Sequence, residues 1–193
     1  MPKILNNDPS IITHENFLNF DLCDYFIRKF SDRLDVSFVT DGNEALVSQA
    51  RQSTHTFINK EDQSGREVID LVCNYHGWNK DSTEKIQFLK YEVGQGYAAH
   101  YDAFDVTDID ENPNLRGQRI ITNIIYLNDG FSGGETTFPR LSIGVKPRKG
   151  TLLAFHNCFA NSCYLNPLSE HSSAKILTGT KYIITIWLTR DCI

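Results

Sequence analysis

Residues 84–102 read Glu-Lys-Ile-Gln-Phe-Leu-Lys-Tyr-Glu-Val, then Gly-Gln-Gly, then Tyr-Ala-Ala-His-Tyr-Asp. The first ten are rich in the aliphatic and aromatic residues that fill strands. Gly94-Gln95-Gly96 is a turn signal. The stretch closes on His100-Tyr101-Asp102. On a strand, residues i and i+2 point to the same face. An imidazole and a carboxylate would then converge on one point. Such a pair is two-thirds of a facial set of two histidines and one carboxylate, which leaves metal positions open. The pair is weak by itself, since a strand histidine in an ordinary hydrogen bond has the same local sequence.

Downstream the pattern repeats. Arg119 to Leu127, Thr151 to Phe155 and Lys181 to Thr189 share the strand composition. Asn128-Asp129-Gly130, Gly133-Gly134, Pro147-Arg148-Lys149-Gly150 and Gly179 punctuate them. Upstream the period changes. Phe17, Phe20, Cys23, Phe26, Ile27, Phe30 and Leu34 recur at three- and four-residue steps, which predicts a helix with Thr13 as its N-cap. Arg66 to His76 predicts a second helix, stopped by Gly77. Helices followed by antiparallel-type strands predict an α+β fold, a barrel or sandwich backed by helices. With no repeat or linker, one domain over residues 1–193 is expected, helical over 1–80 and strand-rich over 84–190. Residues 59–65 and 103–118 are polar. They predict mobile loops, with 51–65 and 103–118 as candidate lids.

Composition narrows the function. The 193 residues are 40% hydrophobic and 22% charged, enough for a core without staples. A net charge of −5 offers no basic surplus for phosphates, so general nucleic-acid or membrane-surface binding is not expected. No apolar run reaches a membrane span, and Met1 to Asp8 lacks the apolar centre of a secretory signal. A cytoplasmic protein is expected. The five cysteines, Cys23, Cys73, Cys158, Cys163 and Cys192, are odd in number and form no CxxC. They predict buried free thiols in a reducing compartment, and they exclude a zinc finger.

A third metal ligand must come from elsewhere in the chain, and His156 and His171 are the candidates. Ten residues past His171 stands Lys181, which opens a strand face continued by Ile183, Thr185 and Trp187. A lysine on such a face either reaches solvent or needs a buried anion. A dicarboxylate bound to the metal would supply one.

The motifs in order resemble one family. Arg51-Gln-Ser53 is similar to its lid segment, and Tyr91 through His100-Tyr-Asp102 to its first metal strand. Gln118-Arg119 to Asp129, Gly133-Gly134-Glu135-Thr136, Pro147-Arg-Lys149-Gly150, Ser169-Glu-His171, Gly179-Thr-Lys181 and Trp187 follow in register. The chain resembles the iron(II)- and 2-oxoglutarate-dependent dioxygenases, in the prolyl 4-hydroxylase branch of plant, algal, viral and collagen-type enzymes. The resemblance implies a double-stranded β-helix (jelly-roll) core with supporting helices. It implies His100, Asp102 and His171 as iron ligands and catalytic residues, with Lys181 on the C5 carboxylate of 2-oxoglutarate. Tyr91 and Thr136 match cosubstrate-binding positions; Arg119 and Trp187 match positions beside the substrate channel. The implied cofactors are Fe(II), 2-oxoglutarate and O2, with ascorbate as reductant. The implied reaction is 4-hydroxylation of a proline-containing peptide or protein, releasing succinate and CO2. Thr189 stands where collagen- and plant-type relatives usually carry histidine, which leaves the peptide preference open. The competing readings are an oxygenase of a free amino acid or small metabolite, a catalytically silent jelly-roll binding module, and a zinc hydrolase. The last gives Lys181 and Gly-Gly-Glu-Thr no role.

Overall fold

The apolar runs become strands. The computed structural model describes residues 1–36, 39–41, 44–46, 53–105 and 117–192. In chain order the elements are β1 (Lys3–Asn7), β2 (Ser10–His14), α1 (Phe20–Phe30), β3 (Asp35–Val36), β4 (Val39–Asp41), β5 (Glu44–Leu46), β6 (Thr54–Ile58), α2 (Gln63–His76), β7 (Ile86–Tyr91) and β8 (Tyr97–His100). They continue with β9 (Gln118–Tyr126), β10 (Ser132–Gly133), β11 (Thr136–Phe138), β12 (Ile143–Val145), β13 (Leu152–His156), β14 (His171–Ser173), β15 (Ile176–Thr178) and β16 (Lys181–Arg190).

Eight strands form a large sheet in the order β1-β2-β13-β9-β16-β7-β6-β3. A smaller sheet has the order β12-β11-β14-β8. Neighbours in both run antiparallel. One apolar cluster, including Leu89, Tyr91, Ile124, Phe138, Leu153, Phe155 and Ile183, joins the small sheet to the large one. A second lies on the other face of the large sheet, where Phe26 and Phe30 of α1 and Val68 and Val72 of α2 meet Ile86, Phe88, Ile125, Ile184 and Ile186. Two sheets with one helix-covered face are the expected double-stranded β-helix. Each fully buried aliphatic or aromatic side chain in these clusters contributes about 1.5–3 kcal/mol relative to exposure.

The N-terminal third differs from the expectation of helix over 1–80. Residues 3–14 form the β1–β2 hairpin, and β2 extends the large sheet by pairing with β13. Thr13, expected as a helix cap, lies in β2; the cap of α1 is Asn19, whose side chain accepts from the Leu22 N–H at 2.7 Å. Helix α2 begins three residues earlier than expected, because Asp62 accepts from the Ser64 and Gly65 N–H groups. Gly77 ends it at φ 62°, as expected. Thr54–Ile58 pairs along its length with β7, and Ser64 and Gly65 are buried in the first turn of α2. Of the expected loop at 59–65, residues 59–62 are turn and 63–65 open α2; of the lid expected at 51–65, residues 54–58 are strand and 63–65 helix, with residues 51 and 52 outside the described residues. The centre of the other candidate lid, residues 106–116, also lies outside them.

Cys23, Cys73 and Cys158 are buried free thiols, as expected. Cys163 and Cys192 are not free; they form a disulfide. The cause is tertiary. Gln118 lies opposite Arg190 at the end of β16, and its Nε2 donates to the Cys163 carbonyl at 3.0 Å, so the loop after Cys158 is drawn to the strand end. Among the described residues no helix is long and apolar enough to cross a membrane.

Candidate active site

Strand β8 ends at His100, so Asp102 lies just beyond it and not on it. The two side chains still converge: His100 Nε2 is 3.6 Å from Asp102 Oδ1. Strand β14 starts at His171, in register with His100. That register sets the two imidazole centres 4.3 Å apart and places His171 Nε2 3.7 Å from Asp102 Oδ2. One ligand atom from each of the three residues lies within 4.8 Å of the other two.

The histidine tautomers are fixed from behind. His100 Nδ1 donates to the Ala98 carbonyl at 2.9 Å, and His171 Nδ1 to the Ser169 carbonyl at 3.1 Å. A carbonyl only accepts, so each Nδ1 carries a proton and each Nε2 is left to face the other ligand residues. Burial pushes the His171 imidazolium down to about 4, so this ring is neutral at pH 7. Burial alone would raise the Asp102 carboxyl; His171, His100 and Arg119 overcome it and hold the group well below the usual carboxylate range.

Asp102 is oriented by two donors. Thr122 Oγ1 donates to Oδ2 at 2.7 Å and Trp187 Nε1 at 3.0 Å. Thr122 and Trp187 are direct partners in the β9–β16 register. Asn157 Nδ2 donates in turn to Thr122 Oγ1 at 2.8 Å. Oδ2 is thus engaged by protein donors, and Oδ1 remains for a ligand. Two imidazole nitrogens and one carboxylate suit ferrous iron with positions to spare.

Lys181, first residue of β16, is 1% exposed. Its Nζ donates to the Gly134 carbonyl at 2.6 Å and to Ser173 Oγ at 2.9 Å. Burial pushes the ammonium down to about 7, against a pull upward from Glu135. No carboxylate of the described residues forms an ion pair with it. Gly134 is left-handed at φ 73°, and a Cβ there would fall 2.6 Å from Ile176 Cδ1 and 3.2 Å from Lys181 Cδ. Tyr91 is the cross-strand partner of Lys181, its ring centre 5.3 Å from Nζ. Thr136 is buried at the start of β11 and accepts from the Tyr126 hydroxyl at 2.8 Å.

Arg119 pairs with Glu84 through two bonds of 2.6 and 2.8 Å. Its guanidinium lies 3.9 Å from the Trp187 ring centre and 4.7 Å from that of Phe104.

A cavity of about 440 Å³ gathers all eight residues predicted from sequence: Tyr91, His100, Asp102, Arg119, Thr136, His171, Lys181 and Trp187. That volume suits a small-molecule site. His156, the other candidate ligand, does not line it; nor does Thr189, which follows a register shift in β16. Sequence reasoning missed Glu84, Thr122, Asn157 and Ser173. Thr122 had a signal, since it shares a face of β9 with Ile124 and Tyr126.

Comparison with protein families matches residues 86–189 to the 2OG-Fe(II) oxygenase superfamily. Prolyl 4-hydroxylase 2 of Arabidopsis thaliana is 31% identical over 214 residues, covering 98% of this chain and 70% of that protein. A putative prolyl 4-hydroxylase of Acanthamoeba polyphaga mimivirus is 29% identical over 183 residues, covering 94% and 74%. Among solved structures, the viral collagen prolyl hydroxylase of Paramecium Bursaria Chlorella virus-1, a 2OG complex, superposes with a TM-score of 0.71 at 24% identity, covering 92% of this chain and 93% of that one. A Trichoplax adhaerens prolyl hydroxylase, in complex with a hypoxia inducible factor oxygen degradation domain peptide fragment, gives 0.69 at 17% identity, covering 95% and 84%. At these identities the two structures carry the fold alone.

Proposed function

The chain belongs to the 2OG-Fe(II) oxygenase superfamily, and from that premise we propose that it 4-hydroxylates prolyl residues of a peptide or protein. It is a 2-oxoglutarate-dependent dioxygenase, and the family's requirements are Fe(II), 2-oxoglutarate and O2. Bound iron supplies the oxidising chemistry by which O2 and 2-oxoglutarate become succinate, CO2 and a hydroxylated C–H. The chain's own residues do the rest. His100 and His171 present their Nε2 atoms, and Asp102 presents Oδ1, to hold the ion. Lys181 holds the far carboxylate of 2-oxoglutarate, with Tyr91 and Thr136 as walls. Arg119 and Trp187 flank the substrate.

The observation that carries this reading is the buried amine of Lys181, which forms no ion pair with a carboxylate among the described residues and opens onto the cavity that holds the three ligand residues. A buried cation without a counterion calls for an anion. Ferrous iron, Asp102, Lys181 and a dianion together carry no net charge, which suits a site shielded from water. The binding-module and zinc-hydrolase alternatives give that ammonium nothing to hold. Peptidyl proline is favoured over a free amino acid by the Arg119–Glu84 pair. Each charge there already has its partner, so neither is spare for an amino acid's carboxylate or ammonium.

The test is turnover with Fe(II), 2-oxoglutarate, O2 and ascorbate over a panel of proline-rich peptides and free proline. Succinate release matched by a gain of one oxygen atom on a peptide proline is expected. Coupled turnover on free proline with none on peptides would overturn the peptidyl assignment. Coupled turnover by the His171→Ala variant would overturn the ligand set.

A further inference from the structure

The two histidines of the site are held differently. His171 is 4% exposed and lies against the Phe155 ring at 4.6 Å. The His100 side chain is 19% exposed and lines the cavity. A single N–H to the Ala98 carbonyl would leave its ring free to rock about that bond.

We propose that Tyr97 is a positioning residue for His100, holding the imidazole in the plane in which its Nε2 meets the metal. The Tyr97 ring stacks on the His100 ring with centroids 3.6 Å apart and planes 18° from parallel. That contact requires a deviation in β8. Residues three apart on a regular strand face opposite sides. Here Tyr97 is opposite Ser173 and His100 is opposite His171, so three steps on β8 match two on β14. The extra residue is a bulge, which returns position 97 to the face of position 100. Ala98 and Ala99, between them, are exposed and small, and leave the two rings to pack on each other. Bulge, stack and the Nδ1 hydrogen bond together fix a ring that burial does not fix.

This inference rests on His100 and His171 being metal ligands, and the experiment separates the two claims. Mn(II) or Co(II) affinity is measured by calorimetry without 2-oxoglutarate, so that no turnover is involved. Tyr97→Ala and Tyr97→Leu are expected to weaken metal binding roughly 10–100-fold, the usual effect of removing an orienting partner, while Tyr97→Phe stays within about threefold of the parent. The visible spectrum of Co(II)-saturated protein is expected to change in the two ring-free variants and not in Tyr97→Phe. Thermal melting of the metal-free proteins identifies any variant that fails to fold; Leu, which keeps the bulk of the side chain, then replaces Ala. Ring-free variants that fold and bind metal as the parent does, with the parent spectrum, overturn the proposal. Metal affinity that survives His171→Ala removes the ligand set and the proposal with it.

Discussion

On one face of β16, Ile184, Ile186 and Leu188 are fully buried with the residues of α1 and α2. On the other, Lys181, Ile183, Thr185 and Trp187 line the cavity. The first face is oil against oil. The second carries an ammonium and an indole N–H aimed at a carboxylate. The period of two along a strand lets ten residues serve stability and chemistry at once with little interference. Substitutions on the two faces should therefore separate cleanly.

The largest effect belongs to the cavity side. His171→Ala or Asp102→Ala is expected to abolish succinate formation while circular dichroism still reports a folded sheet. Next comes Lys181→Met, which should weaken 2-oxoglutarate binding on the order of 10²-fold in a titration. The same variant should leave the empty protein as stable or more so, because an apolar side chain of similar length replaces an uncompensated charge. A large loss of stability would mean that the lysine is structural.

On the helix side, Ile186→Ala should cost about 2–4 kcal/mol of stability in urea denaturation and leave 2-oxoglutarate affinity unchanged. A changed affinity would show that the two faces are coupled.

The pH response of Lys181 tests the same division. Its ammonium sits at about 7 in the empty protein, below the 10.5 of an exposed lysine. Between those values the unfolded chain holds a proton that the folded chain has released, so this group makes the empty protein more stable as pH rises through the window. A bound dicarboxylate restores the charge. Binding of 2-oxoglutarate at pH 8 should therefore take up protons, read by calorimetry in buffers of different ionisation enthalpy. Absence of uptake would separate Lys181 from the cosubstrate.

The smallest effect lies far from the cavity. Hydrogen bonds from Lys29 and Ser64 hold Asp62 down at about 2, below the 3.8 of a free aspartate. Asp62→Ala should cost about 1 kcal/mol through loss of the α2 cap. The parent's advantage is present above pH 3.8 and is lost as pH falls toward 2. Comparing the two proteins in acid melts checks it.

The strands at 86–91, 118–126, 152–156 and 181–190 were legible because their composition is that of buried strands. The eight site residues were legible because their motifs recur in order. The β1–β2 hairpin was not: Lys-Ile-Leu-Asn-Asn is short and polar, and the phenylalanine spacing after it reads as helix back through Thr13. Glu84, Asn157 and the two donors to Asp102 as a pair were hidden for a different reason. Trp187 and Thr122 are 65 positions apart in the chain, and only the β9–β16 register makes them neighbours. The Cys163–Cys192 disulfide was hidden in the same way, by a loop that returns to a distant strand end.

Gly134 sets a limit that no side chain could set. Its carbonyl anchors the Lys181 amine at 2.6 Å, and its missing Cβ leaves room for the lysine stem. A backbone oxygen cannot change rotamer, so this anchor of the amine is fixed. How far the amine reaches into the cavity is thus set by a position that has no side chain.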